Sequence, residues 1–158
     1  MKGPDRLTAY SGFLLFSRLV LALLFILSGS EKLMAPPEEF MQVIKGYQIL
    51  APPFLRPAAL LLPWLELLSG VFLLVGLFYQ ISVRAVGALL ILFTAAIGSA
   101  LLRGISMEDC GCLKSLGFRE SVPVALARNL ILLLFWLNLL FDRKPKWTVD
   151  HWLQGREE

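Results

Sequence analysis

The sequence predicts an all-α integral membrane protein, a four-helix bundle with a short interfacial helix between the first and second spans. Three observations carry that expectation. Hydrophobic residues make up 57% of the 158-residue chain and charged residues only 17%, whereas a soluble domain carries about a quarter charged residues. The mean hydropathy is +0.70. The apolar residues gather into long runs of about 20, the length that crosses a ~30 Å hydrocarbon core as a helix. This composition excludes intrinsic disorder and a water-soluble enzyme of this size. The net charge of +3 is scattered thinly between the runs, so no nucleic-acid partner is expected.

The whole of residues 1–158 reads as a single four-span membrane domain. Span one covers about 13–33 and is broken only by Ser17, Arg18 and the polar group from Ser28 to Lys32. It lacks a small-residue cleavage site and more spans follow, so it is read as a span and not a signal peptide. After it, Pro36-Pro37 suits a helix start and Glu38-Glu39 suit the positive end of a helix dipole. Phe40, Val43, Ile44 and Tyr47 fall at helical spacing. They predict a short amphipathic helix at the membrane interface, stopped before Pro52-Pro53; a plain surface connector is the competing reading.

Span two covers about 57–78 and contains Glu66. A tight turn near Tyr79-Gln80 leads to span three, about 81–102, with Arg84 at its start. Residues 103–122 form a loop that carries Cys110 and Cys112. Span four covers about 123–141 and contains Arg128 and Asn129. Ser69-Gly70, Gly87-Ala88 and Gly98-Ser99 are small enough to be helix-contact positions. The tail after Asp142 is basic and then amphipathic (Trp147, Trp152), suited to resting on lipid.

Lys2, Arg6, Arg84, Arg143, Lys144 and Lys146 fall on one side of this topology; Lys32, Lys45, Arg56, Arg103, Lys114 and Arg119 fall on the other. The positive-inside rule is therefore close to a tie. The dense cluster of Arg143, Lys144 and Lys146 favours both termini inside, with the cysteine loop outside a bacterial inner membrane, where disulfide chemistry is normal.

The two cysteines of the chain lie in one tripeptide, Cys110-Gly111-Cys112. A disulfide needs Cα atoms about 4.4–6.8 Å apart, and Gly111 permits the bend that positions i and i+2 require. So small a ring is expected to be strained and labile, hence oxidising rather than structural. A Cu(I) site held by two thiolates and a pair of inert buried thiols are the alternatives. Zinc is disfavoured, with no histidine near.

Ionisable residues at membrane depth are costly and normally face a partner inside the bundle. Arg128 lies about five residues into span four and Glu66 about nine into span two, roughly 8 and 14 Å below the same face at the helical rise. A Glu66–Arg128 pair is the preferred pairing. Arg18 enters from the opposite face and is expected to snorkel to the inner surface. Glu31, Lys32, Glu66 and Arg128 share the outer half, beneath the cysteines. They read either as structural ion pairs or as a polar pocket in which Lys32 or Arg128 favours a thiolate and a carboxylate relays protons. Tyr47, Trp64 and Phe118 could flank a quinone ring, although aromatic residues near an interface commonly serve as anchors.

These residues resemble the DoxX-like membrane proteins and, within them, the MauE group. The resemblance is carried by Arg18, by Ser28-Gly29-Ser30-Glu31-Lys32, by Tyr47, and by Pro63-Trp64-Leu65-Glu66 with Gly70. Asp109-Cys110-Gly111-Cys112 and Arg128-Asn129 complete it, over about Arg18 to Leu140. It departs where Leu113-Lys114 follows Cys112 in place of Phe-Gly. It implies a compact four-helix bundle that handles periplasmic thiols beside a thioredoxin-like partner. The MauE group is associated with maturation of a disulfide-rich methylamine dehydrogenase subunit, and other DoxX relatives with quinone-coupled sulfur oxidation.

The function expected from all of this is a membrane thiol–disulfide oxidoreductase. Cys110 and Cys112 would exchange electrons between a thioredoxin-like periplasmic protein and a membrane quinone, ubiquinone or menaquinone, with no metal. Lys32, Glu66 and Arg128 would assist the chemistry, and Glu31, Tyr47, Trp64 and Arg128 would contact the quinone. Electron flow in the opposite direction is equally compatible with the sequence. A non-enzymatic membrane assembly or anchoring factor for periplasmic protein maturation and a Cu(I)-binding membrane protein are the rival readings.

Overall fold

A computed structural model describes residues 4–104 and 121–141, and all of it is helical apart from short connections. The order is α1 (Pro4–Met34), α2 (Pro37–Gly46), α3 (Pro52–Val75), α4 (Tyr79–Leu102) and α5 (Val122–Phe141). Among the described residues, four segments are long and apolar enough to cross a membrane: Gly12–Met34, Pro52–Val75, Tyr79–Leu102 and Pro123–Phe141. The protein is a multi-pass membrane protein, and α2 is the short helix expected between the first two spans.

Proline and glycine set the boundaries; α2 stops before Pro52-Pro53 as expected, whereas both ends of α3 and the start of α4 differ from expectation. Prolines occupy the first turn of α2, followed by Glu38 and Glu39, with Lys45 in its last turn. That helix stops at Gly46, well short of Pro52, because Gln48 adopts φ 53° and turns the chain. Pro52-Pro53 then begin α3, five residues earlier than predicted: a helix's first amides have no intrahelical partner, so prolines cost nothing there. At its other end α3 stops at Val75, not Phe78. Gly76 caps it at φ 76° and Phe78 sits at φ 48°, so the turn covers these residues and Tyr79 already belongs to α4.

The core lies along the bundle axis. Leu21, Ala22 and Phe25 of α1 meet Leu73 of α3, Val83, Val86 and Leu90 of α4, and Leu132 and Leu139 of α5. Two glycines let α1 and α3 approach closely. A Cβ on Gly29 would lie 2.7 Å from the Leu67 amide nitrogen, and one on Gly70 would lie 3.0 Å from the Ala22 carbonyl oxygen. Gly87 gives its space to Trp136, whose indole would overlap any Cβ there and whose Nε1 donates to the Val83 carbonyl at 2.8 Å. Gly98 departs from expectation, since its missing Cβ would meet nothing within 4 Å among the described residues. The outward faces of the spans are apolar: Leu23, Leu61, Leu65, Ile81, Ile91 and Leu134 are all exposed, as lipid contact requires.

Helix α2 lays Phe40 and Ile44, one turn apart, on Leu55 and Ala59 of α3. Tyr47 joins Ile97 of α4 and Ala125 of α5 in a second cluster. The Arg103 guanidinium donates through Nη1 to the Gln48 carbonyl at 3.3 Å. One end of the bundle therefore gathers α2, the C-termini of α1 and α4, and the N-termini of α3 and α5.

Candidate functional site

The site grows from one stripe of α1. Leu21, Phe25, Ser28 and Lys32 follow at helical steps of four, three and four, so the apolar stripe that enters the core ends in a hydroxyl and an ammonium. A helical side chain leans toward its own N-terminus. Lys32 therefore reaches back along α1, away from the helix end and into the bundle. Its Nζ donates to Glu66 Oε1 at 2.6 Å and Oε2 at 2.8 Å and to Ser28 Oγ at 3.0 Å. Ser28 Oγ in turn donates to Glu66 Oε2 at 3.1 Å. The Lys32 and Glu66 side chains are 4% and 1% exposed.

Local backbone geometry explains the meeting. Gly29 follows Ser28 and Leu67 follows Glu66, and at Gly29 α1 lies so near the α3 backbone that a Cβ would meet the Leu67 amide nitrogen and the Pro63 carbonyl. On its other side, Nζ lies 5.0 Å from the ring centroids of both Phe40 and Phe93, whose faces attract a cation. The ammonium is thus held by a carboxylate, a hydroxyl and two aromatic rings.

Two cavities meet at Lys32. The smaller, about 40 Å³, is lined by Ser28, Lys32, Glu66, Arg128 and Asn129 with apolar neighbours from α1, α4 and α5; it is large enough for a water molecule. The larger, about 400 Å³, lies between α2, α3 and α4 and is lined almost wholly by apolar side chains, with Lys32, Phe40, Phe93 and Tyr47 on its wall. Lys32 and Phe93 border both.

The structure brings Lys32, Glu66 and Arg128 around one cavity. It corrects the pairing, because the carboxylate oxygens of Glu66 are held by Lys32 and not by Arg128. Depth counted from Cα positions hides this, since Lys32 stands near the end of its span while its side chain reaches back a full turn to Ser28 and Glu66. Tyr47 lines the larger cavity. Glu31 is half-buried, Trp64 is 54% exposed on the outward face of α3, and neither lines either of these two cavities. Arg18 does not snorkel. It is buried, donating through Nε to the Leu73 carbonyl and through Nη2 to the Leu74 carbonyl, both at 2.8 Å, and lying 5.9 Å from the Tyr79 ring centroid. Cys110, Cys112 and Phe118 lie outside the described residues. Nothing in the sequence marks Phe93 as part of the site, because an apolar residue inside a span looks the same whether it faces lipid, core or cavity.

A family model described as "Methylamine utilisation protein MauE" matches residues 10–142. Among curated proteins, the chain is similar to methylamine utilization protein MauE of Paracoccus denitrificans, 37% identical over 116 residues, which are 73% of this chain and 61% of that protein. The Methylophilus methylotrophus protein of the same name is 35% identical over 63% of this chain and 52% of its own length. That of Methylorubrum extorquens is 35% identical over 68% and 59%. The chain thus spans between half and two thirds of the length of these relatives. No solved structure matches it significantly.

Proposed function

The chain belongs to the MauE family, and from that premise we propose that it is a membrane thiol–disulfide oxidoreductase that passes electrons between a thioredoxin-like partner and membrane quinone. The relatives are named for methylamine utilisation, and the same process is carried over to this chain as part of the reading. The protein sits in the bacterial inner membrane, with the Cys110–Cys112 loop on the outer side.

In the forward direction a partner thiolate attacks the Cys110–Cys112 disulfide and forms a mixed disulfide. The partner's second thiol then resolves it. The partner leaves with its own S–S bond, and two electrons and two protons remain on Cys110 and Cys112. When that pair re-forms its disulfide, both electrons pass to a quinone and two protons end on the quinone oxygens, giving the quinol.

The observation that carries this reading is the placement of the buried charges. Lys32 and Glu66 are buried and Arg128 is half-buried, a costly arrangement in an apolar bundle; all three line the smaller cavity, and Lys32 also borders the larger, apolar one. They sit in the half of the bundle from which the chain leaves α4 and re-enters α5, the two ends of the cysteine loop. A carboxylate and an ammonium to hand protons on, and a fixed guanidinium charge to steady a thiolate, are what thiol oxidation and quinone reduction both need.

The test is quinone reduction by the purified full chain in lipid nanodiscs, with a dithiol donor and a short-chain quinone followed by its ultraviolet absorbance. Wild type is expected to turn over and Cys112→Ser to lose thiol-driven reduction. Absence of turnover in wild type with a competent donor overturns the enzyme reading. Stoichiometric copper on the purified protein, lost with the cysteines, turns it toward metal handling.

A further inference from the structure

The larger cavity has a doorway that identifies what reaches it. Leu61 and Leu65 of α3 and Leu92 of α4 line it and are also 61%, 52% and 50% exposed. All three sit inside the apolar spans. The mouth therefore opens along the α3–α4 face, onto hydrocarbon, and is bordered at one end by the exposed Ile49 and Leu50 of the α2–α3 connection. A water-soluble molecule would have to leave water to enter, whereas a molecule dissolved in the bilayer would not.

We infer that this cavity is the lateral binding site for the quinone, entered from the bilayer between α3 and α4, with the head group directed at Lys32 and the apolar tail left in the doorway. The assignment rests on the quinone-linked reading above and gives it a place. It also moves the quinone away from Trp64 and Glu31, which border no part of the cavity.

Three features fit this ligand class. The volume of about 400 Å³ falls in the range of small-molecule sites, which are apolar with a few placed polar groups. The inner wall supplies one cation flanked by Phe40 and Phe93, suited to a flat electron-poor ring with carbonyl oxygens. Charge that develops on those oxygens during reduction faces an ammonium in a site of low dielectric, where such stabilisation is strongest. Ser28 Oγ, the most distant of the acceptors of Nζ at 3.0 Å, is the partner that a quinone oxygen displaces. Lys32 also borders the polar cavity with Glu66 and Arg128. A proton given by Nζ to the quinone is therefore replaced from that side, and the two protons needed are those released when the dithiol closes its disulfide.

The experiment is photolabelling of the full chain in nanodiscs with a short-chain azidoquinone, followed by peptide mapping. Label is expected on the cavity walls, within Phe40–Tyr47, Leu61–Leu65 or Leu92–Ile97. An excess of decyl-quinone should remove it and added phosphatidylethanolamine should not. Ala96→Trp, which fills the cavity from α4, is expected to weaken labelling about tenfold while leaving the melting temperature in place; Ala58→Trp, from α3, serves if that variant does not fold. Label on other faces, or label unchanged in the filled variants, overturns the site. Equal competition by phospholipid shows an ordinary lipid niche and also overturns it. The two proposals fail separately. Thiol-driven turnover with label elsewhere removes this site and keeps the enzyme. Label on these walls with no turnover keeps the site and removes the enzyme.

Discussion

Lys32 of α1 holds both carboxylate oxygens of Glu66 of α3, at 2.6 and 2.8 Å, with both side chains almost fully buried. The pair joins the helices at the point where Gly29 brings them together. Desolvating two charges is expensive, and their attraction returns most of that cost only when both are present.

The first prediction follows from that asymmetry. Glu66→Leu or Lys32→Met leaves a lone charge in the bundle and is expected to cost on the order of 3–5 kcal/mol. The double variant Lys32→Met/Glu66→Leu removes both charges and should unfold at or above the wild-type temperature. Thermal unfolding of the four proteins in one detergent closes the cycle. Additive losses would show that the two side chains act independently. The double variant also separates roles, since a purely structural pair would leave thiol-driven quinone reduction intact in a protein of restored stability.

Arg18 makes a different attachment. The last carbonyls of a helix have no partner within it, and the negative end of the dipole favours a cation there. Gly76 and Leu77 both donate to the Phe72 carbonyl, and Arg18 serves the next two, those of Leu73 and Leu74. Hydrogen bonds to charged groups contribute about 1.5–3 kcal/mol, so Arg18→Met should lower stability by roughly that amount. Arg18→Lys should recover only part of the loss, because an ammonium lacks the planar fork that meets two carbonyls. Full recovery with lysine would show that charge alone matters.

The glycines predict opposite signs for one substitution. At Gly29 the obstacle to a Cβ is the α3 backbone, which cannot rotate away, so Gly29→Ala should push α1 from α3 and destabilise by about 1–3 kcal/mol. At Gly98 nothing stands within 4 Å among the described residues. Gly98→Ala should be neutral or stabilise by up to ~1 kcal/mol through helix propensity alone. Melting temperatures in detergent check both, and a loss at Gly98 equal to that at Gly29 would contradict this packing.

What the sequence disclosed follows from which forces act locally. Hydropathy over a span is a sum of one-residue terms, so the four spans and α2 were legible, with errors of a few residues where a proline begins a helix or a glycine ends one. That Lys32, Glu66 and Arg128 share one cavity was legible too, because a charge inside a span is rare and must face inward, whereas Glu31, expected with them, lines neither cavity. The pairing of these charges was not. Lys32 and Arg18 each travel several ångströms from their Cα, in directions fixed by helix polarity and by what the neighbouring helix offers. Arg18 found carbonyls, which a sequence does not display as ligands. Trp64 shows the converse case, a residue type associated with binding that here faces outward. The doorway at Leu61, Leu65 and Leu92 was hidden because these leucines are indistinguishable in composition from those of the core.

The last prediction concerns sidedness. Counting basic residues left six on each side, with Lys32 among those of the outer side. In the folded protein Lys32 is buried and neutralised by Glu66, so it offers no charge to an outer surface, and the balance tips toward termini inside. The chain has two cysteines, both in the loop, so wild type itself reports the side of the loop, and replacing both gives the background for a cysteine placed elsewhere. After mild reduction of intact cells, a membrane-impermeant maleimide is expected to label wild type and to leave Cys110→Ser/Cys112→Ser unlabelled. With that cysteine-free background, Lys146→Cys should be labelled only after the membrane is opened. Labelling of the tail cysteine in intact cells would invert the topology. The thiols would then face a reducing compartment, where a labile disulfide does not persist, and external thiol oxidation would be lost with it.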